Sequence, residues 1–189
     1  MRKLKLQMQV SLDGFVAGAK GEMDWVTFNW DEALLNYVTE ITEPVDTILL
    51  GRKLSEGFIP HWEAAAKAET AQDFEKKMHE TPKVVFTKTI TENNWAYTQL
   101  AKGSLVGEIK KLKKQKGKDI IAYGGGNFVS NLIKNNLIDE YYIFVNPAEL
   151  GKGMPIFKNL KDTLKLELVE TKGFSCGVVV LCYKPIKSH

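Results

Sequence analysis

Cysteine and histidine are scarce in this chain. Two cysteines (Cys176 and Cys182) and three histidines (His61, His79 and His189) occur among 189 residues. A zinc site needs two ligand pairs at short spacing, and none is present. Both cysteines fall in a segment that reads as strand. The expectation is a pair of reduced, buried thiols in a cytoplasmic protein. Long apolar runs are missing as well. None approaches the roughly 20 residues that span a bilayer, so no membrane partner is expected. The start, Met1-Arg2-Lys3-Leu4-Lys5, is basic, but an alternating stretch follows it where a signal peptide needs a solid apolar block. A strong charge of one sign is also lacking. Lys plus Arg number 26 against 23 Asp plus Glu, a formal net charge of +3. That surplus is too small and too scattered for a nucleic-acid partner. What remains is an ordinary globular composition, 44% hydrophobic and 26% charged. At roughly 150 residues per domain, the chain reads as a single domain over 1–189 that can bury about 70% of its unfolded surface.

Periodicity divides the chain into alternating strands and helices. Residues 4–10 alternate apolar and polar, the pattern of a strand with one buried face. Ser11-Leu12-Asp13-Gly14 turns, and Phe15-Val16-Ala17 resumes briefly. Leu34, Leu35, Val38 and Ile41 form a helical stripe over 31–41, ended by Pro44. Val45 to Leu50 reads as a buried strand stopped by Gly51. A helix starts there and is expected to break at Pro60-His61-Trp62. A second helix spans 70–80, with Thr70 and Asp73 as a capping-box variant. Strands follow at 83–87 and 95–98, then a helix over 104–116. The lysines of that helix carry no interleaved aromatics and read as a solvated face. Residues 119–123 form a strand, 127–134 a helix and 141–145 a strand. The last two strands, 164–170 and 178–183, have no helix between them. The fold class is therefore α/β: a mostly parallel central sheet flanked by helices, with an antiparallel C-terminal edge.

Three strand ends carry the chemistry. At Tyr123-Gly124-Gly125-Gly126-Asn127, a buried strand meets bare backbone and a helix start. Orphan amides and the helix dipole both favour an anion there. The spacing fits neither G-x-G-x-x-G, which needs glycine at Val129, nor a Walker loop. Leu50-Gly51-Arg52-Lys53 repeats the strand–glycine–helix pattern with two cations. Phe86-Thr87-Lys88 ends a strand with a hydroxyl and a cation. Ligands of open α/β sheets bind beyond the carboxyl ends of the strands, where all three fall. A glycine cradle with basic strand ends suits a dinucleotide bearing an extra phosphate.

These blocks, in the order Ser11-Leu12-Asp13-Gly14-Phe15-Val16-Ala17, Leu50-Gly51-Arg52-Lys53-Leu54, Val85-Phe86-Thr87-Lys88 and Tyr123-Gly124-Gly125-Gly126-Asn127-Phe128, resemble the dihydrofolate reductase-like family. The continuation Leu150-Gly151-Lys152-Gly153-Met154-Pro155 is similar to the branch named for the C-terminal reductase domain of bifunctional riboflavin-biosynthesis enzymes. The resemblance covers nearly the whole chain. It implies NADPH as cofactor and hydride transfer to a small planar heterocycle, pteridine- or pyrimidine-like. It places Val16 and Ala17 at the nicotinamide carboxamide, and Gly51, Arg52, Lys53 and Leu54 at the pyrophosphate and adenosine side. Thr87 and Lys88 fall at the ribose 2′-phosphate, and Gly124, Gly125, Gly126, Asn127 and Phe128 on the opposite side of the pyrophosphate. It also implies a cis peptide between the central glycines. Trp25 and Phe28 are the expected substrate floor. Asp31, at the start of the first helix, is the expected catalytic carboxylate, although its spacing to Gly51 is longer than in dihydrofolate reductase. A homodimer is expected, and no metal. Two alternatives stand beside this reading. One is a nucleotide-binding or sensory module that keeps the cofactor edge without catalysis. The other is a riboflavin-pathway reductase, against which the chain shows no attached deaminase with a His/Cys zinc signature.

Overall fold

The computed structural model describes residues 1–158 and 160–186, so His189 lies outside it. Three strands come from the first half of the chain: β1 (Leu4–Val10), β2 (Val45–Gly51) and β3 (Lys83–Phe86). The other five are β4 (Thr98–Leu100), β5 (Asp119–Gly124), β6 (Glu140–Val145), β7 (Leu166–Gly173) and β8 (Val179–Pro185). They form one sheet in the order β4-β3-β2-β5-β1-β6-β8-β7. β1 to β6 are mutually parallel; β8 runs antiparallel to β6, and β7 antiparallel to β8.

Five helices connect them: α1 (Glu32–Thr42), α2 (Arg52–Lys67), α3 (Asp73–Glu80), α4 (Leu105–Lys114) and α5 (Gly126–Lys134). From β1 the chain steps outward through β2 and β3 to β4, and from there it steps back to β5 and β6. Right-handed crossovers must then place the outward helices on one face and the returning ones on the other. The core divides that way. Leu34, Val38, Ile41, Ile59 and Met78 of α1, α2 and α3 pack on Ile48, Leu50, Val85 and Ile121. Ile109, Leu112, Val129 and Leu132 of α4 and α5 pack on Leu4, Leu6, Leu49 and Ala122.

Several boundaries differ from the sequence reading. β1 is buried on both faces, because helices cover both sides of the central strand. Its polar residues Lys5 and Gln7 lie under α1, and Lys5 there donates to the Ile41 carbonyl at 3.2 Å. Phe15 makes only an isolated bridge to Pro155. Pro60 does not break α2, which runs on to Lys67. One hydrogen bond is lost there, but Ile59 in the core and Trp62 against Phe58 and Phe74 hold the helix on the sheet. α3 begins three residues later than expected, where Glu75 returns to the Gln72 amide at 3.0 Å. The fourth strand is shifted to 98–100 and the last two to 166–173 and 179–185.

Candidate functional site

The carboxyl ends of β1, β2, β3, β5 and β6 open on one edge of the sheet. Adjacent strands β2 and β5 both end in glycine there. A Cβ on Gly51 would stand 2.9 Å from Phe128 Cβ and 3.3 Å from the Gly124 carbonyl oxygen. A Cβ on Gly125 would stand 3.4 Å from Gly51 Cα. The two loops thus meet backbone to backbone. Gly124 and Gly125 turn with φ of +140° and +57°, values that glycine bears readily. Among the described residues every peptide is trans, so the expected cis bond between these glycines is absent. The Phe128 ring stacks on Phe86 at 4.8 Å between centroids, which draws the end of β3 into the same cluster.

Capping separates these helices from the others. Asp31 caps α1, Ser104 caps α4, and α3 has its Glu75 return. α2 and α5 start at Gly51 and Gly125, with no side-chain cap and no acid in the first turn. Their leading amides are left for an external acceptor, and the dipoles favour an anion. Of the cations predicted from sequence, Arg52 and Lys53 open α2 itself, and Lys88 follows the end of β3. Arg52 pairs with Glu56 at 2.6 Å, one turn along α2. Lys53 and Lys88 are exposed. The Thr87 oxygen accepts from the Thr89 and Ile90 amides, both at 3.1 Å, which leaves its O–H to donate outward. Leu54 packs under Gly124.

The loop after β1 is braced by the loop after β6. The Val16 amide donates to the Met154 carbonyl at 3.0 Å, and the Met154 amide to the Ala17 carbonyl at 2.8 Å. Asp13 ties the same two loops. It accepts from the Gly151 amide at 2.7 Å and from the Ser11 hydroxyl at 2.6 Å. The Ser11 hydroxyl, together with the Leu150 and Gly151 amides, holds its carboxyl below the usual carboxylate range. Asn146 is fully buried. It accepts from the Thr27 amide at 2.9 Å and donates to the Gln9 side-chain oxygen at 2.8 Å. Thr27 lies between Trp25 and Phe28, so Asn146 sets where that segment stands. Phe28 is 69% exposed. Trp25 is half-buried and donates to the Glu22 carbonyl at 3.1 Å. Trp30 turns inward onto Phe144.

Asp31 is at the same edge, as the cap of α1. One oxygen accepts from the Leu34 amide at 2.8 Å. The other accepts from the Ser175 hydroxyl at 2.6 Å and the Cys176 amide at 3.0 Å. The Ser175 hydroxyl, then the Leu34 amide, pull its pKa down to about 2, so it is ionised at neutral pH. The structure therefore brings together Gly51, Leu54, Phe86, Gly124, Gly125 and Phe128, and sets Asp31 apart at the head of α1. Sequence reasoning passed over Asp13 and Asn146. Their signals, Ser-Leu-Asp-Gly and Asn-Pro, also mark ordinary turns. Among the described residues no cluster of His, Cys, Asp and Glu could hold a metal, and no helix is long and apolar enough to cross a membrane.

A mostly parallel eight-stranded sheet with an antiparallel edge, flanked by helices, is a dihydrofolate reductase-like fold. The chain belongs to the family of the RibD C-terminal domain, whose model matches residues 2–180. It is 34% identical over 183 residues to the uncharacterized protein YyaP of Bacillus subtilis (strain 168), covering 96% of this chain and 94% of that one. Among solved structures it is similar to a putative riboflavin biosynthesis protein from Shewanella sp. PV-4, with 25% identity and a TM-score of 0.72, covering 99% of this chain and all of the other. It also resembles a diaminohydroxyphosphoribosylaminopyrimidine deaminase/5-amino-6-(5-phosphoribosylamino)uracil reductase from Thermotoga maritima. There the identity is 16% and the TM-score 0.70, over 98% of this chain and 57% of that one. A dihydrofolate reductase from Enterococcus faecalis complexed with NADP(H) has the same fold, at 16% identity and a TM-score of 0.62, over 98% and 97% of the two chains.

Proposed function

We propose that this protein is an NADPH-dependent reductase that transfers hydride to a small planar heterocycle, pteridine- or pyrimidine-like. One observation supports the reading: the only two helices among those described that begin with neither a side-chain hydrogen bond at the cap nor an acid in the first turn begin side by side, at glycines, and Arg52 and Lys53 open one of them. Residues 51–54 and 124–128 would hold the pyrophosphate from two sides, where added Cβ atoms would crowd the backbone. Thr87 and Lys88 would meet the 2′-phosphate, through a hydroxyl donor and a cation. The Val16–Ala17 backbone, braced by Met154, would orient the nicotinamide. The cofactor would supply the hydride, and the chain would supply orientation and electrostatics. Trp25 and Phe28 would floor the heterocycle. Asp31 is ionised and accepts three hydrogen bonds from the chain, so its part is to orient the substrate side of the edge. Water would deliver the proton.

The same engagement of Asp31 favours the second reading, a nucleotide-binding module without catalysis. Titration by fluorescence quenching tests the cofactor: NADPH is expected to bind at least tenfold more tightly than NADH, and equal affinities would remove the 2′-phosphate assignment. Oxidation of NADPH with a panel of dihydropterins and pyrimidines then separates enzyme from module. A homodimer belongs to the same proposal. It is supported by the exposed Leu168 and Val169 on the outermost strand, β7. A single monomeric species by sedimentation at micromolar concentration would overturn it.

A further inference from the structure

We propose that the heterocycle taken at this edge carries no phosphate or carboxylate: its substrate half is built for a neutral or cationic planar ring. The inference rests on the reductase reading above and adds the substrate's charge class.

The carboxyl edge is divided by charge. Over β2 and β3 stand Arg52, Lys53 and Lys88, against Glu56 and, later in the loop after β3, Glu92. Over β1 and β6, residues 18–32 carry one cation, Lys20, against Glu22, Asp24, Asp31 and Glu32. The helix that opens there differs from α2 and α5 in the feature that matters for anions. Asp31 already occupies the positive end of α1 and Glu32 adds a second acid in its first turn, so the dipole that would attract a phosphate is compensated from within the chain. A phosphate arriving within the roughly 8 Å Debye length of these carboxylates would be repelled, whereas a cation would be drawn in.

The facing loop does not restore a phosphate site. Its Lys158 donates to the Asn127 side-chain oxygen at 2.9 Å, on the cofactor half. Lys152 and Lys161 have Glu149 and Asp162 close by in sequence, and Lys165 adjoins the start of β7, at the opposite edge of the sheet. What this half offers instead is apolar surface. Met23 and Phe28 are 38% and 69% exposed, and the buried Asn146 fixes the segment between Trp25 and Phe28 through the Thr27 amide. Aromatic faces held in place beside carboxylates suit a flat ring with N–H donors. The Thermotoga maritima reductase, by its name, acts on a phosphoribosylamino uracil; this chain is inferred to refuse such a phosphate.

The test is calorimetric titration of the NADPH-saturated protein with three probes: a dihydropterin, a ribosylaminouracil, and the same uracil bearing a 5′-phosphate. At least one phosphate-free probe is expected to bind tenfold or more tightly than the phosphorylated one. Asp24→Lys, at an exposed position, should narrow that ratio at least threefold, and Glu32→Gln should narrow it less. Equal or tighter binding of the phosphorylated probe overturns the inference, as does failure of both phosphate-free probes, or an unchanged ratio in Asp24→Lys. NADPH binding is measured first. Its failure would overturn the reductase reading instead, and the probe ratio would then be read on the protein alone.

Discussion

Lys88 and Asp31 show how differently two charged residues at one edge are used. Lys88 is exposed at the end of β3, beside a Thr87 hydroxyl whose lone pairs are taken by the turn. A hydrogen bond to a charged group contributes about 1.5–3 kcal/mol, so Lys88→Ala should weaken NADPH roughly ten- to hundredfold. NADH affinity should stay nearly unchanged, and an equal loss for both would place Lys88 elsewhere. Asp31 is committed to Leu34, Ser175 and Cys176. Its pKa near 2 lies below the ordinary 3.8, so the stability it adds is present above pH 3.8 and is lost as pH falls through about 2. Asp31→Asn should cut heterocycle reduction, leave NADPH affinity unchanged and flatten acid denaturation in that window. Parental turnover in Asp31→Asn would remove it from the site. The identity of Asp31 as a helix start was legible from sequence. Its second set of bonds was not, because Ser175 is 144 positions away and no local pattern reports such a partner.

At the level of elements, periodicity found every strand of the sheet to within a few residues: the buried ones announce themselves by composition, and the exposed outer strand β7 by its alternation. Pro60 misled because a single lost hydrogen bond is outweighed when the helix around it is packed. The meeting of the β2 and β5 loops was visible only as two separate glycine signals. Their contact depends on β5 being inserted beside β2, a matter of strand order that periodicity does not encode. Gly125→Ala tests the pair. At φ +57° an alanine costs about 1–2 kcal/mol, and its Cβ would press on Gly51. The fold should survive with a slightly lowered Tm, while NADPH affinity falls at least tenfold. Binding at the parental level would reduce the three glycines to a turn.

For the molecule as a whole, the buried cation Lys83 sets a pH dependence. Lys83 is 1% exposed, and its ammonium donates to the His79 and Thr81 carbonyls, at 2.6 and 2.8 Å, at the end of α3. Burial pushes its pKa down to about 8 from 10.5. Below pH 8 both folded and unfolded chains hold the proton, and the fold bears the cost of the buried charge. Between about pH 8 and 10 the folded chain releases it first, so stability should rise, by on the order of 1–3 kcal/mol. Urea denaturation at pH 7.5 and 9.5 reads the slope. Lys83→Met should abolish it, and a slope persisting in that variant would assign it to another group. The bond from Asp31 to Ser175 and Cys176 has a consequence in time. As the ribosome extends the chain from its N-terminus, α1 is complete early, yet the Asp31 carboxylate at its head lacks two of its three hydrogen-bond partners until the turn between β7 and β8 emerges. β8 must also insert between β6 and β7 after all the parallel strands exist. The nascent chain can therefore assemble its glycine edge well before the aromatic half is pinned, so nucleotide affinity should appear during synthesis ahead of the ability to turn a substrate over.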